Sequence, residues 1–333
     1  MIRKSAVPPK ELLDFIREGE KFLIVGHKEP DGDCLGSQLA ISSALRRMGK
    51  GCILCSAGPF KRTEIKRYEP LFTPSPDTRG IERAIVIDCS SIERTGDLEP
   101  YLKGLSIAVI DHHDNRKTGE EAVYIPAYYI DAGAPSTTFM VMKVLNALGF
   151  KLDREEAEFL FFGLCTDTGF FRHVDDEGAE TFEAAAALIR AGANPKTAFS
   201  TMYGGKSLDS RRLIGHILLR AETFFDGKLV LSSEEYEETC RYGNESRDSD
   251  ILFQLFQSVD GVEAIVVIRQ ETPENCTIAF RSRSLVDVGS IAESFGGGGH
   301  KNASGCIIAG SIAELKARVL KAFEGVFADK PLI

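Results

Sequence analysis

Tryptophan is absent from the 333 residues, and only 6 histidines and 5 methionines occur. The missing indoles remove the largest stacking platform that a nucleic-acid groove could use. With so few histidines, each can be considered individually. Basic residues are also in deficit: 40 Lys and Arg face 49 Asp and Glu, for a formal net charge of −9. This balance argues against a broad basic face for long duplex nucleic acid, although a local site can still take small anions. No apolar run approaches the roughly 18 residues of a bilayer span. The N-terminal MIRKSAVPPKELLDFIREGE lacks the apolar stretch of a secretory signal. The 8 cysteines are scattered, which suits reduced thiols in a cytoplasm better than a disulfide framework. Cys52 and Cys55 form a C-x-x-C in GCILCS with no second pair at zinc spacing, and they read as packing residues of a short strand.

At roughly 150 residues per domain, the length predicts two domains. Short apolar runs alternate with amphipathic stretches in the first part of the chain. Lys21–Gly26, Ile53–Cys55, Arg83–Asp88 and Ser106–Asp111 read as strands. Cys34–Arg47, Ala134–Leu148, Glu155–Leu164 and Ala179–Ala191 read as helices. The alternation predicts an α/β fold: a doubly wound, mostly parallel sheet over residues 1–192. Pro195, Gly204 and Gly205 mark a domain connection over 193–218. A smaller α/β domain is expected over 219–333, with a cleft between the two.

Ligands bind beyond the carboxyl ends of parallel strands. Four segments of the first domain deliver Asp or His as the apolar run ends. His27, Asp31 and Asp33 follow KFLIVG in HKEPDGD. Asp88 follows RAIVI, and Asp111, His112 and His113 follow SIAVI. Asp167 follows the helix 155–164 in CTDTG. A single Asp of this kind is a turn former or helix cap. Several together repel one another unless a cation compensates. Carboxylates with imidazoles suit a divalent ion such as Mn²⁺, and the shortage of thiolates argues against structural zinc. In the second half, Gly296–Gly299 precede His300, and Arg281 precedes Ser282. Consecutive glycines let backbone N–H groups approach an anion, and Arg281 can grip a phosphate bidentately. Arg283 is a weaker candidate of the same kind. His173, His216, Phe170 and Phe171 read as surface or packing residues.

In order and spacing, His27-x-x-x-Asp31-x-Asp33, the lone Asp88, Asp111-His112-His113 and the later Asp167 resemble the DHH phosphoesterase superfamily. Phe280-Arg281-Ser282 and Gly296-Gly297-Gly298-Gly299-His300 resemble the substrate motifs of the DHH-associated C-terminal domain. The resemblance implies two divalent ions, Mn²⁺ by first choice and Mg²⁺ second. His27, Asp31 and Asp88 would hold one. Asp33, Asp88, His112 and Asp167 would hold the other. A bridging hydroxide activated by the pair would attack phosphorus. Asp111 would steady the histidines, and His113 would face the substrate phosphate or leaving group. Arg281, Ser282, Gly297, Gly298, Gly299 and His300 would bind substrate.

Within that superfamily, the short two-domain form looks most like the oligoribonuclease and 3′-phosphoadenosine 5′-phosphate phosphatase group. The expectation is therefore a cytoplasmic hydrolase of dinucleotides and other very short RNA. Long duplex and membrane are excluded as partners, and a homodimer is left open. Linear or cyclic dinucleotide signals are the alternative substrate. Pyrophosphate hydrolysis and a non-catalytic nucleotide sensor rank below.

Overall fold

The structure is a computed structural model that describes residues 5–113 and 124–327. It divides into two compact units, Met1–Gly204 and Gly205–Ile333.

In the first unit α1 (Lys10–Glu18) leads into β1 (Lys21–Gly26), α2 (Gly32–Arg47), β2 (Gly51–Cys55) and β3 (Arg83–Ile87). The short α3 (Glu99–Leu102), β4 (Ser106–Asp111) and β5 (Ala127–Ile130) follow, and then α4 (Thr137–Ala147), α5 (Arg154–Asp167), α6 (Ala179–Arg190) and α7 (Pro195–Tyr203). The five strands form a sheet in the order β2-β1-β3-β4-β5. All pairings are parallel, with Val25 opposite Val86 and Val86 opposite Val109. Both faces of β1 are covered, which is why its run is unbroken rather than alternating. Phe22 and Ile24 pack with Leu35, Phe139 and Leu160, whereas Leu23 and Val25 pack with Val86, Ile92 and Leu98. The chain winds outward from β1 to β2, then returns past β1 to β3 and β4. The strand order thus switches between β1 and β3, where an open α/β sheet leaves a crevice at the carboxyl ends.

The first unit differs from the sequence expectations at several points. β5 lies outside the expected strands. α5 runs on to Asp167, so that residue ends the helix rather than following it. α4 begins at Thr137, with Ser136 as its N-cap accepting from the Phe139 N–H. The stretch 193–218, expected as a connection, is largely α7 and the next helix, and the division between units falls between those helices at Gly204.

The second unit contains α8 (Leu208–Leu219), β6 (Glu222–Phe224), β7 (Leu229–Glu234), α9 (Tyr236–Tyr242), α10 (Ser249–Gln257) and β8 (Ala264–Gln270). β9 (Asn275–Ser282), α11 (Val288–Ser294), β10 (Gly298–His300), β11 (Ala303–Ala309) and α12 (Ile312–Phe327) complete it. Its sheet runs β10-β11-β9-β8-β7-β6. Only β7 and β8 pair in parallel. Leu213, Phe253 and Phe256 cover one face, and Ile291, Leu315 and Phe323 the other. No helix among the described residues is long and apolar enough to cross a membrane.

Candidate metal centre

The carboxyl ends of β1, β3 and β4 are neighbours, and each discharges a polar residue there. β1 hands over to His27. A loop pinned by Lys28 N–H to Arg94 O (2.8 Å) and Glu29 N–H to Gly58 O (2.9 Å) then leads to α2. Asp31 caps α2, its Oδ1 accepting the N–H groups of Asp33 and Cys34, each at 3.1 Å. Asp88 lies one residue past β3 in a left-handed conformation, φ 59°. Such a backbone is uncommon outside glycine and typical of functional positions. Asp111 is the last residue of β4, with His112 and His113 directly beyond.

These side chains converge. His27 Nε2 lies 3.5 Å from Asp88 Oδ2 and 4.0 Å from Asp31 Oδ1. His112 Nε2 lies 3.1 Å from Asp167 Oδ2, 3.7 Å from Asp88 Oδ1 and 3.9 Å from Asp33 Oδ2. His113 Nδ1 lies 3.0 Å from Asp111 Oδ1 and 3.5 Å from Asp88 Oδ1. Each ring is oriented by its other neighbours: His27 Nδ1 donates to Lys28 O at 2.8 Å and His112 Nδ1 to Ala134 O at 3.3 Å. Their Nε2 atoms then face carboxylates with a lone pair. His112 Nε2 is buried without a hydrogen-bond partner among the described residues. A lone pair surrounded by carboxylates is repulsive unless a cation lies between them, so the donor set fits divalent metal. Among the described residues, three overlapping groups have ligand atoms within 4.8 Å of one another: His27, Cys34 and Asp88; Asp88, His112 and His113; Asp33, His112 and Asp167.

The electrostatics agree. Burial, reinforced by Asp88 and Asp167, raises Asp33 well above the usual carboxylate range. Burial also pushes Asp167 up to about 6, with His112 opposing and Asp88 adding. Burial opposes charge on His27, yet facing Cys34 and Asp88 it is pushed up to about 12. Asp111 and then Asp88 push His113 up to about 10. Asp88 moves the other way: burial works against its ionisation, and His113 and His27 overcome it. The cluster attracts positive charge, whether protons or metal ions.

Sequence reasoning missed the residues that hold the carboxylates. The Thr137 and Thr138 N–H groups, at the start of α4, donate to Asp33 Oδ2 (2.6 Å) and Oδ1 (2.9 Å). The Thr138 hydroxyl adds a third bond to Oδ1 at 2.6 Å. The positive end of α4 thereby fixes Asp33. Thr137 Oγ1 donates to Asp88 Oδ1 at 2.8 Å. The Ser136-Thr137-Thr138 run was the available signal, since such a run opening a helix offers hydroxyls and free N–H groups together. Cys34 was also missed, although it directly follows Asp33.

Other residues stand apart from this cluster. His173 is exposed and lines a cavity of about 300 Å³ beside Asp167 and Thr168. His216 lies on α8 with Nδ1 3.4 Å from Glu238. Phe170 and Phe171 pack against the core. Cys52 and Cys55 are free, as are the other cysteines.

In the second unit Arg281 is part-buried on β9, its guanidinium 4.7 Å above the Phe253 ring. No carboxylate is within ion-pair distance of it among the described residues, and burial lowers its pKa. Ser282 is buried, its Oγ 3.3 Å from Asn302 Oδ1. Arg283 donates to Gln257 O at 2.8 Å, just past the strand. The glycine run is partly structural rather than an open anion cradle. The Gly297 N–H is already bonded to Ala292 O at 2.9 Å. A Cβ on Gly297 would meet Gly305 O at 2.2 Å, and one on Gly299 would meet Ala303 O at 2.6 Å. Gly298 has open space there. His300 is exposed at the end of β10.

Residues 21–164 match the DHH family, N-terminal domain, and residues 233–329 match the DHHA1 domain. A relative from Thermus thermophilus, named bifunctional oligoribonuclease and PAP phosphatase NrnA, is 27% identical over 304 residues, covering 90% of this chain and 88% of the relative. Cyclic-di-AMP phosphodiesterase GdpP of Bacillus subtilis is 27% identical over 348 residues, covering 97% of this chain and 51% of the relative, so this chain spans about half of that protein. A solved exopolyphosphatase-related protein from Bacteroides fragilis shares the fold with a TM-score of 0.79 at 21% identity, covering 98% of this chain and 100% of the other.

Proposed function

Because the chain belongs to the DHH phosphoesterase family, we propose that it hydrolyses very short RNA to mononucleotides with two divalent ions, Mn²⁺ by first choice and Mg²⁺ second. We extend the proposal to dephosphorylation of 3′-phosphoadenosine 5′-phosphate and assign the activity to the cytoplasm. One observation carries the two-ion reading: Asp88 turns Oδ2 toward His27 (3.5 Å) and Oδ1 toward His112 (3.7 Å). A carboxylate with one oxygen in each cluster is suited to bridge. In this reading His27, Asp31 and Asp88 would hold one ion, and Asp33, Asp88, His112 and Asp167 would hold the other.

Bound there, divalent ions supply an activated water and neutralise charge on the phosphoryl oxygens. The chain's own groups do the rest. Asp111 accepts both the backbone N–H (2.9 Å) and the Nδ1–H (3.0 Å) of His113, which leaves Nε2 to protonate the leaving oxygen. Thr137 and Thr138 keep Asp33 and Asp88 in place. Arg281, with no carboxylate within ion-pair distance among the described residues, is assigned to a substrate phosphate, and Ser282, Gly297, Gly298, Gly299 and His300 to substrate binding. The net charge of −9 favours a short substrate over a long one.

The relative named oligoribonuclease and PAP phosphatase supports short RNA and the bisphosphate. The match of 97% of this chain to a cyclic-di-AMP phosphodiesterase supports a second reading, in which a linear or cyclic dinucleotide signal is the substrate. Metal-stripped protein with Mn²⁺ restored decides between them on a panel of diribonucleotides, adenosine bisphosphate, cyclic di-AMP, a long oligoribonucleotide and pyrophosphate. Fastest turnover of diribonucleotides is expected. Turnover of cyclic di-AMP alone would install the second reading. Inertness toward the whole panel, unchanged in Asp88→Ala, would favour a nucleotide sensor.

A further inference from the structure

We propose that Cys34 supplies a sulfur ligand to the ion held by His27 and Asp88, so that this position prefers thiophilic cations such as Zn²⁺ or Co²⁺ to Mg²⁺. The inference rests on the two-ion reading above and extends it. Cys34 Sγ, a His27 ring nitrogen and an Asp88 oxygen all lie within 4.8 Å of one another, and all three residues are buried. A cation placed among them would meet one soft, one borderline and one hard donor.

The sulfur is held at that spot from several sides. The Cys34 N–H is fixed by Asp31 Oδ1 at 3.1 Å, which locks the residue into the first turn of α2. At the end of β1, Gly26 leaves room for it: a Cβ there would lie 2.2 Å from Sγ. Gln38 closes the remaining side. Its Nε2 is anchored to Ile24 O (3.1 Å) and Cys55 O (3.0 Å), so its Oε1 accepts the Cys34 S–H at 3.7 Å, a bond that the thiol gives up on binding an ion. A core position that needed only volume would be filled equally well by alanine or valine. Here a polarizable sulfur faces an imidazole and a carboxylate already argued to hold an ion.

The step balances without an oxidant. The S–H bond breaks, the proton goes to solvent, and a metal–sulfur bond forms as the ion arrives. The family's donor pattern for this ion, His27, Asp31 and Asp88, is thereby one donor richer.

X-ray absorption on Zn²⁺-loaded full-length protein tests this without a variant. A sulfur scatterer at about 2.3 Å is expected beside the nitrogen and oxygen shell. Co²⁺-loaded protein should show a sulfur-to-cobalt charge-transfer band that Cys34→Ser abolishes and Cys165→Ser does not. Cys34→Ser should also weaken Zn²⁺ binding by about tenfold or more, while Mg²⁺ affinity stays within about twofold. Two ions per chain with only nitrogen and oxygen scatterers would overturn the role of Cys34 and leave the two-ion reading intact. Failure to bind any ion would overturn both.

Discussion

Thr137 donates its hydroxyl hydrogen to Asp88 Oδ1 at 2.8 Å, tying the start of α4 to the carboxylate shared by both halves of the cluster. The same Oγ1 accepts the His112 N–H at 3.3 Å, so one threonine sets the spacing between two of the groups. Removing that hydroxyl leaves a buried carboxylate oxygen short of a donor. We expect Thr137→Val to keep the fold and to weaken divalent metal binding on the order of 10- to 100-fold. Isothermal titration of metal-stripped protein measures this, and unchanged affinity would show that Asp88 is held by other means.

The threonine's role was not legible in the sequence, whereas most of the cluster was. His27, Asp88 and Asp111 lie at or just past strand ends, and the ends of neighbouring parallel strands must be adjacent in space. A run such as SIAVID-HH therefore reports its own location. Thr137 and Asp33 are far apart in the chain, and their meeting depends on how α4 docks beside α2, which no local pattern encodes. Cys34 was hidden for another reason: a cysteine on a helix looks like packing until the missing Cβ of Gly26 is seen beside it. The glycine run was legible as a special backbone. Its cause is partly the close approach of β11 to Gly297 and Gly299 rather than a ligand.

Metal binding should depend on pH with a definite sign. Asp167 rises from an ordinary 3.8 to about 6 because burial disfavours its charge. In metal-free protein its ionisation therefore costs stability, a cost absent below about pH 4 and complete above about pH 6. His27 and His113 are raised from 6.5 to about 12 and about 10, so their stabilising protonation is whole below pH 6.5 and lost as pH climbs through those values. All three act in one direction: these groups make metal-free protein less stable as pH rises. Mn²⁺ removes the repulsion, so the gain in Tm on adding Mn²⁺ should be larger at pH 7.5 than at pH 5. Calorimetry with and without Mn²⁺ tests this, and a gain independent of pH would contradict the assignment of Asp167 to the ion cluster.

Arg281 should separate substrate binding from metal binding. Its guanidinium rests on the Phe253 ring at 4.7 Å, its Nη1 donates to Phe280 O at 2.9 Å, and no carboxylate among the described residues is within ion-pair distance, which leaves its other N–H groups for a phosphate. Lysine keeps the charge but loses the planar fork and the stacking. Arg281→Lys is expected to raise KM for a 5′-phosphorylated dinucleotide about tenfold, with metal stoichiometry unchanged and the unphosphorylated dinucleotide affected less. Equal losses on both substrates would mean that Arg281 does not contact that phosphate.

His113 is the group placed to move a proton. Asp111 Oδ1 holds its Nδ1 at 3.0 Å, so the ring presents Nε2 away from the carboxylate, and the side chain is the most exposed of the three histidines in the cluster. A donor there matters in proportion to how poor the leaving group is, because a good one departs without help. His113→Asn should therefore lower kcat on a diribonucleotide by about 10²- to 10⁴-fold. The loss should be far smaller on a nitrophenyl phosphoester, whose leaving oxygen needs no proton. Asp111→Asn should leave the fold intact and shift the alkaline limb of the pH profile to lower pH, since Asp111 is the largest cause raising His113 to about 10. Metal content distinguishes this from damage to the ion site: both variants should bind as many ions as the parent protein. An equal loss on both leaving groups would make His113 a metal or phosphate ligand instead of a proton donor.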